Sequence, residues 1–234
     1  MTWGNAFRDG ERAPARTWYR FLSAGFDLPA TAGTDKMFNS QVVGSVRTYV
    51  NVEGEFGYEG WLDGIRAGRT FVTTGPMLTF TANEHGLGET IKATVNDSIA
   101  VRARVRSRIP VERIEVLQGG NVIATLENEA GRRDLVLETE VTVLSSTWLA
   151  ARAYSSERLP YNNVPLMAHT SPIYVEVDGK PRQSREDAAF LAGLTDQVIE
   201  WSRTEARFQD EAQRGEMIAL FERAKAVYLE QMED

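Results

Sequence analysis

The apolar positions change their period twice along the chain, and the changes divide it into three segments. From about residue 15 to 80, helix-period and strand-period runs alternate. Thr17 to Gly25 reads as a helix, with Trp18, Phe21 and Leu22 at i, i+3 and i+4 and Gly25 suited to its C-cap. Residues 28–35, Leu-Pro-Ala-Thr-Ala-Gly-Thr-Asp, read as a short apolar strand ending in Gly33-Thr34-Asp35. Ser45 to Asn51 forms a second strand and Thr70 to Gly75 a third. Between those two lies an amphipathic helix from Tyr58 to Gly68, with Trp61, Leu62 and Ile65 on one side. Alternation of this kind predicts a parallel sheet, and three strands are too few to close a barrel.

From about 77 to 178 the period becomes two. Ser98–Arg106, Arg113–Leu117, Asn121–Thr125, Asp134–Val141, Thr147–Tyr154 and Pro172–Val177 read as short strands, and Gly119-Gly120 supplies a hairpin turn. Six or seven such strands in about 100 residues fit an antiparallel β-sandwich, with one wet face to each sheet. From about 183 to 234 the pattern is helical. Ser184 with Asp187 three residues on makes an N-terminal cap, and Phe190, Leu194, Val198 and Trp201 form an apolar stripe. After a short break near Thr204, a second helix from about Phe208 to Met232 carries Met217, Phe221, Ala224 and Tyr228. The two are expected to pair as an antiparallel hairpin packed on the rest of the chain.

The expected organisation is therefore a partial α/β part over 1–76, a β-sandwich over 77–180 and a helical tail over 181–234. At 234 residues the chain can bury a sizeable core without staples, and with no cysteine it has neither disulfides nor thiolate metal sites. A net charge of −7 argues against a general nucleic-acid surface. The basic residues are 22 Arg against 4 Lys. Arg102, Arg104, Arg106 and Arg108 alternate and so share a sheet face, read first as a solvated face and second as an anion-binding patch. No run approaches the ~20 apolar residues of a membrane span. The N-terminus has no signal-peptide pattern, which places the chain in the cytoplasm if Met1 is the true start.

An acidic residue at the C-terminal end of a buried strand is a common metal or substrate position in α/β enzymes, and Asp35 occupies one. A hydrolytic metal needs about three protein ligands, and the rest of the sequence supplies few. There are two histidines. His169, just before the last sandwich strand, reads as structural, and His85, in Asn83-Glu-His-Gly-Leu-Gly88, as a turn residue. No Gly-x-Ser-x-Gly elbow and no phosphate-binding glycine loop occurs.

Several blocks together resemble the CehA/McbA-type metallohydrolases of the polymerase-and-histidinol-phosphatase (PHP) superfamily. These are Trp18 to Leu22 with Gly25-Phe26, Ala32 to Asp35, Gly44 to Val50, Trp61-Leu62, Ile65 to Thr73 with Gly75-Pro76, and Ala168 to Val175, together with the tail around Phe221, Ala224 and Val227-Tyr228. The resemblance implies a distorted βα barrel binding divalent metals (zinc, manganese or iron) that activate water against a small-molecule substrate. Asp35 matches the last ligand position, and Met37 stands where many members carry histidine. The His-x-Asp-x-His element of the first barrel strands is absent. The chain is then expected to be the C-terminal remnant of a metallohydrolase barrel followed by a sandwich and a helical hairpin, not catalytically competent alone. The alternative is a non-catalytic β-sandwich module that binds a partner or carbohydrate. A cut barrel exposes sheet edges, so self-association is expected, and light scattering at micromolar concentration should read a mass above that of one chain.

Overall fold

The computed structural model describes residues 14–37, 39, 42–158 and 165–232. The chain forms a β-sandwich of two unequal sheets with helices over the outer face of the larger one. Helix α1 (Pro14–Ser23) opens the described part, followed by β1 (Arg47–Val50), α2 (Tyr58–Arg66) and β2 (Thr70–Thr73). The sandwich continues through β3 (Met77–Ala82), β4 (Thr90–Ala93), β5 (Ser98–Arg106), β6 (Arg113–Gln118) and β7 (Asn121–Glu127). It ends with β8 (Asp134–Thr142), β9 (Thr147–Arg158), β10 (Pro165–Thr170) and β11 (Ile173–Val177), and the helices α3 (Arg185–Thr204) and α4 (Glu211–Glu230) close the chain.

The small sheet has the order β3-β5-β8, all antiparallel. Its inner face presents Leu78, Phe80, Ile99, Val101, Val105 and Leu135 to Ile114, Val116, Leu149, Ala151, Ile173 and Val175 of the large sheet. This is the main core, and strict alternation builds it: along β5 the even-numbered positions face water or the sheet surface while Ile99, Val101, Ala103 and Val105 are buried. The outer face of the small sheet is laced with charge. Arg102 bonds Glu138 at 2.7 Å and Arg104 forks onto Asp134 at 2.9 and 2.5 Å, which draws the Asp134 carboxyl below the usual carboxylate range.

In the large sheet, β9 is the spine. One of its edges carries β6 and then β7, and the other carries β10 and β11 in succession. His169 faces Arg152 and Ile173 faces Leu149, so the strand pair β10–β11 holds one residue more than the stretch of β9 it opposes. That extra residue is a bulge at Ser171-Pro172. Beyond it the next neighbours also change: β2 pairs antiparallel with β10, and β4 pairs parallel with β11. β1 lies outside β2 at the edge.

The parallel α/β piece expected over the first segment is corrected by these pairings. β1 and β2 are antiparallel, and β2 is hydrogen-bonded to a sandwich strand. The helix between β1 and β2 does not carry the chain across to start a parallel strand, because Asn51 N–H donates to the Arg69 carbonyl at 2.8 Å and closes the connection as a hairpin. Residues 28–35, expected as a strand, pair with no ladder. They are strapped to the sheet by hydroxyls instead. The Thr48 hydroxyl accepts from Ala32 N and donates to Ala32 O, both at 2.8 Å, while Ser171 Oγ accepts from Ala30 N and Thr70 donates to Ala30 O.

The helices end as their glycines predict. At α1, Phe26 N bonds Phe21 O, Gly25 N bonds Leu22 O, Gly25 sits at φ +100°, and the Phe21 and Phe26 rings meet edge to face. α3 and α4 form the expected antiparallel pair, tied by Arg203–Glu222 and Lys225–Asp196. The buried stripe of α3 is displaced from the expected one. Ala188, Leu191, Thr195, Ile199 and Ser202 face inward, and Trp201 is 54% exposed. The inward face mixes small residues with Leu191 and Ile199, and at its start Ala188 and Leu191 meet Ala24 beside α1.

Among the described glycines, Gly88 is met most closely by backbone. It sits at φ +82°, and a Cβ there would stand 1.8 Å from the Ala67 carbonyl oxygen at the end of α2. Gly88→Ala combines left-handed strain with a backbone clash and should lose about 3 kcal/mol, read as a lowered urea midpoint with an unchanged slope.

Candidate functional site

Side chains on the outer face of the large sheet form a polar row through its centre. Glu115 on β6, Arg152 on β9 and His169 on β10 are direct cross-strand neighbours. Polar groups in such a place must be covered and paired. The Arg152 guanidinium bonds Glu115 at 2.6 Å, Tyr154 donates to the same carboxylate at 3.0 Å, and Tyr19 reaches down from α1. Tyr19 gives a hydrogen bond to His169 Nε2 at 2.5 Å, and the Arg152 charge acts on the same phenol. His169 Nδ1–H donates to the Thr170 carbonyl at 2.7 Å, so a neutral ring with its proton on Nδ1 satisfies both contacts. Trp18 and Tyr19 pack on the imidazole, and Trp148 packs on Tyr19.

His169 is fully buried. Burial holds its imidazole at a pKa of about 3 and pushes the Tyr19 phenol upward. The structural role read for His169 thus fits its surroundings, although it sits within a strand and not at a turn. α1 covers the His169 end of the row with Trp18 and Tyr19. The second histidine, His85, holds the β3–β4 turn. Its Nδ1 meets the Asn83 carbonyl at 3.0 Å, and its backbone exchanges hydrogen bonds with Ala82.

Asp35 lies on the strapped segment, exposed and at φ +47°, with Met37 two residues on and 73% exposed. Among the described residues no group of three or more His, Asp or Glu side chains is placed to hold a metal ion. One carboxylate on an exposed turn does not make the enclosed three-ligand set that hydrolytic zinc needs, so no metal-dependent step is derived for this chain. Carboxylates near α2 are likewise engaged locally. Glu53 pairs with Arg69 and Asp63 with Arg66.

Among the described residues an open concavity lies elsewhere, at the end of the sandwich where α3 begins. A cleft of about 480 Å³ is bounded by the β6–β7 turn, the β8–β9 loop and the stretch from Val177 to Asp187. That volume is within the roughly 300–1,000 Å³ of ligand pockets. Several lining groups are engaged in building it. Ser146 Oγ accepts from Val177 N and donates to Lys180 O, Ser23 Oγ accepts from Trp148 Nε1, and Ser184 Oγ caps α3. Arg182 lies over the Tyr174 ring and pairs with Asp27, and Asp187 pairs with Arg20 at 2.7 Å. Asn121, Ser145, Thr147 and Gln183 also line the cleft, and their side chains make no hydrogen bond among the described residues. Asp178 and Lys180 add one charge of each sign at the rim. Sequence reading did not single out this site. Its residues come from four separated loops, and only the fold brings them together.

No protein-family model and no curated protein sequence matches the chain. Among solved structures it is similar to the fibronectin(III)-like modules of CbhA from Clostridium thermocellum, with 20% identity, TM-score 0.30, and 44% of this chain and 98% of that one covered. It is also similar to the CARDB domain of the PF1109 protein from Pyrococcus furiosus, with 16% identity, TM-score 0.28, and 44% and 89% covered. A lytic polysaccharide monooxygenase from Jonesia denitrificans matches at 14% identity and TM-score 0.26, over 58% and 79%. Scores this low leave the fold to rest on the strand pairing itself. That pairing corrects the resemblance to the PHP-superfamily metallohydrolases: the described chain is mostly antiparallel sheet, contains no barrel, and gathers no metal-ligand cluster. No PHP-type hydrolase is among these structural likenesses. Among the described residues no helix is long and apolar enough to cross a membrane.

Two outcomes follow for the buried row. Tyr19→Phe should cost about 1–3 kcal/mol, because it leaves His169 Nε2 without its donor, and chemical denaturation reads it. The His169 ring, depressed from about 6.5 to about 3, binds its proton more readily in the unfolded chain. Its contribution to stability is therefore complete above pH 6.5 and declines as pH falls towards 3. Ring carbon NMR shifts of His169 should stay constant from pH 8 to about 4.5.

Proposed function

We propose that this chain is a non-catalytic β-sandwich binding module with its ligand site in the cleft beside the start of α3. The observation that carries this reading is the division of labour among the lining residues. Ser23, Ser146, Ser184, Arg182 and Asp187 are spent on protein contacts that fix the walls, while Asn121, Ser145, Thr147 and Gln183 keep donors and acceptors uncommitted among the described residues. Two carboxamides and two hydroxyls offer both donors and acceptors, and the rim charges of Asp178 and Lys180 offset each other. Such a lining suits a neutral ligand bearing several hydroxyl groups over a strongly charged one. Both histidines are engaged in holding the fold, which supports binding over acid–base chemistry.

Calorimetric titration with cellobiose and with maltose tests the reading, alongside glycine as a small zwitterion. One of the two sugars should bind with a dissociation constant in the micromolar to millimolar range, and Ser145→Trp, which fills the cleft from an exposed loop, should abolish it. Equal binding by the variant, or no binding of either sugar, contradicts the assignment of this cleft. Stoichiometric zinc, manganese or iron in the purified chain, lost on Asp35→Ala, would contradict the non-metal reading as a whole.

A further inference from the structure

The opposite end of the sandwich carries a different chemistry. It is built by the β5–β6 loop and the β7–β8 loop, which Ser107 N joins by donating to the Arg133 carbonyl at 2.9 Å. Asn128 fastens the pair further. Its Nδ2 donates to Val111 O at 2.7 Å and to Arg132 O at 2.8 Å, its Oδ1 accepts from Arg132 N, and its own N–H donates to Glu112 O. On this rigid platform stand Arg106, Arg108, Arg132 and Arg133, all exposed. None of the four forms an ion pair or a side-chain hydrogen bond among the described residues. Their neighbours Arg102, Arg104 and Arg113 are neutralised by Glu138, Asp134 and Glu127. The two loops carry only the acids Glu112 and Glu129 beside these arginines, so positive charge is in excess here on a chain of net charge −7.

We propose that this arginine-bearing end docks an acidic segment of a partner protein, whose carboxylates pair with Arg106, Arg108, Arg132 and Arg133. Guanidinium groups present paired donors in a planar fork that matches a carboxylate, and the loops that carry them are fixed before binding. Residues 106–112 and 127–134 contain no aromatic side chain. Among the described residues, these two loops therefore give the bases of a nucleic acid and the rings of a sugar nothing to stack on. A long polyanion would also meet the repulsion of the remaining acidic surface, which a short acidic peptide avoids. This end lies across the sandwich from the cleft, and the proposal does not depend on the cleft binding anything.

The experiment is fluorescence anisotropy of a labelled octa-glutamate peptide against the whole chain, at low and physiological salt. A labelled DNA duplex and heparin are titrated in parallel. The peptide should bind at low salt, weaken as salt rises, and lose at least about tenfold in affinity in Arg132→Glu/Arg133→Glu and in Arg106→Gln/Arg108→Gln. Arg223→Glu, on the far helix α4, should bind as the parent does. Thermal melts confirm that each variant is folded. Absence of peptide binding, equal binding by both loop variants, or tighter binding of duplex or heparin than of peptide would each overturn the proposal.

Discussion

A charged row buried on the outer face of a sheet imposes a condition on everything around it. Glu115 and Arg152 can lie out of water only while they are paired with each other and their remaining hydrogen-bonding sites are filled. Tyr154 donates to the carboxylate, the Arg152 charge acts on the Tyr19 phenol, and Tyr19 in turn bonds His169, which completes the row. Because Tyr19 belongs to α1, the sheet and the helical layer are not independent. Trp148 repeats the arrangement two same-face positions along β9, lying in the sheet and donating from its indole to Ser23 at the end of the same helix. The helical hairpin then packs against the far side of α1 through Phe21, Phe26 and Tyr228. Without α1 the row would be an uncovered charge pair, and the helices α3 and α4 would lose their seat.

How far this was legible in the sequence depends on the range of the interactions. Helix ends written in local chemistry were readable: Gly25 and Gly68 take the left-handed conformation at their helix ends, and Ser184 caps α3. Strands with strict alternation, such as Ser98–Arg106 and Asp134–Thr142, were readable for the same reason. Their partners were not. The segment ending in Asp35 has the composition of a strand, but its backbone is met by the hydroxyls of Thr48, Thr70 and Ser171, which sequence spacing does not relate to it. The β1–α2–β2 stretch carries the pattern of a parallel unit, and one backbone bond between Asn51 and Arg69 makes it a hairpin. The apolar stripe of Phe190, Leu194, Val198 and Trp201 on α3 lies one position off the buried face, which runs through Ala188, Leu191, Thr195 and Ile199 against α1. The cleft depends on four loops meeting, so no local pattern could have announced it.

The two ends of the sandwich differ because the loops at each end are anchored differently. At the α3 end, serine hydroxyls hold backbone groups and leave a hollow between loops. At the other end, one asparagine draws two loops together, and exposed arginines stand on them. The sheets between them are an ordinary two-faced core that keeps the ends apart.

The bulge at Ser171-Pro172 works as a phase shifter. Leu166 and Ala168 face the core at even numbers, and Ile173, Val175 and Val177 face it at odd ones. One residue of slack converts the first alternation into the second, so β10 can present His169 to α1 while β11 still fills the sandwich interior. Length is therefore informative at this point in a way that identity is not. Many side chains could occupy the bulge, but a chain shortened there by one residue would carry Tyr174 inward and three aliphatic residues outward, exchanging the two faces of an entire strand at a single stroke.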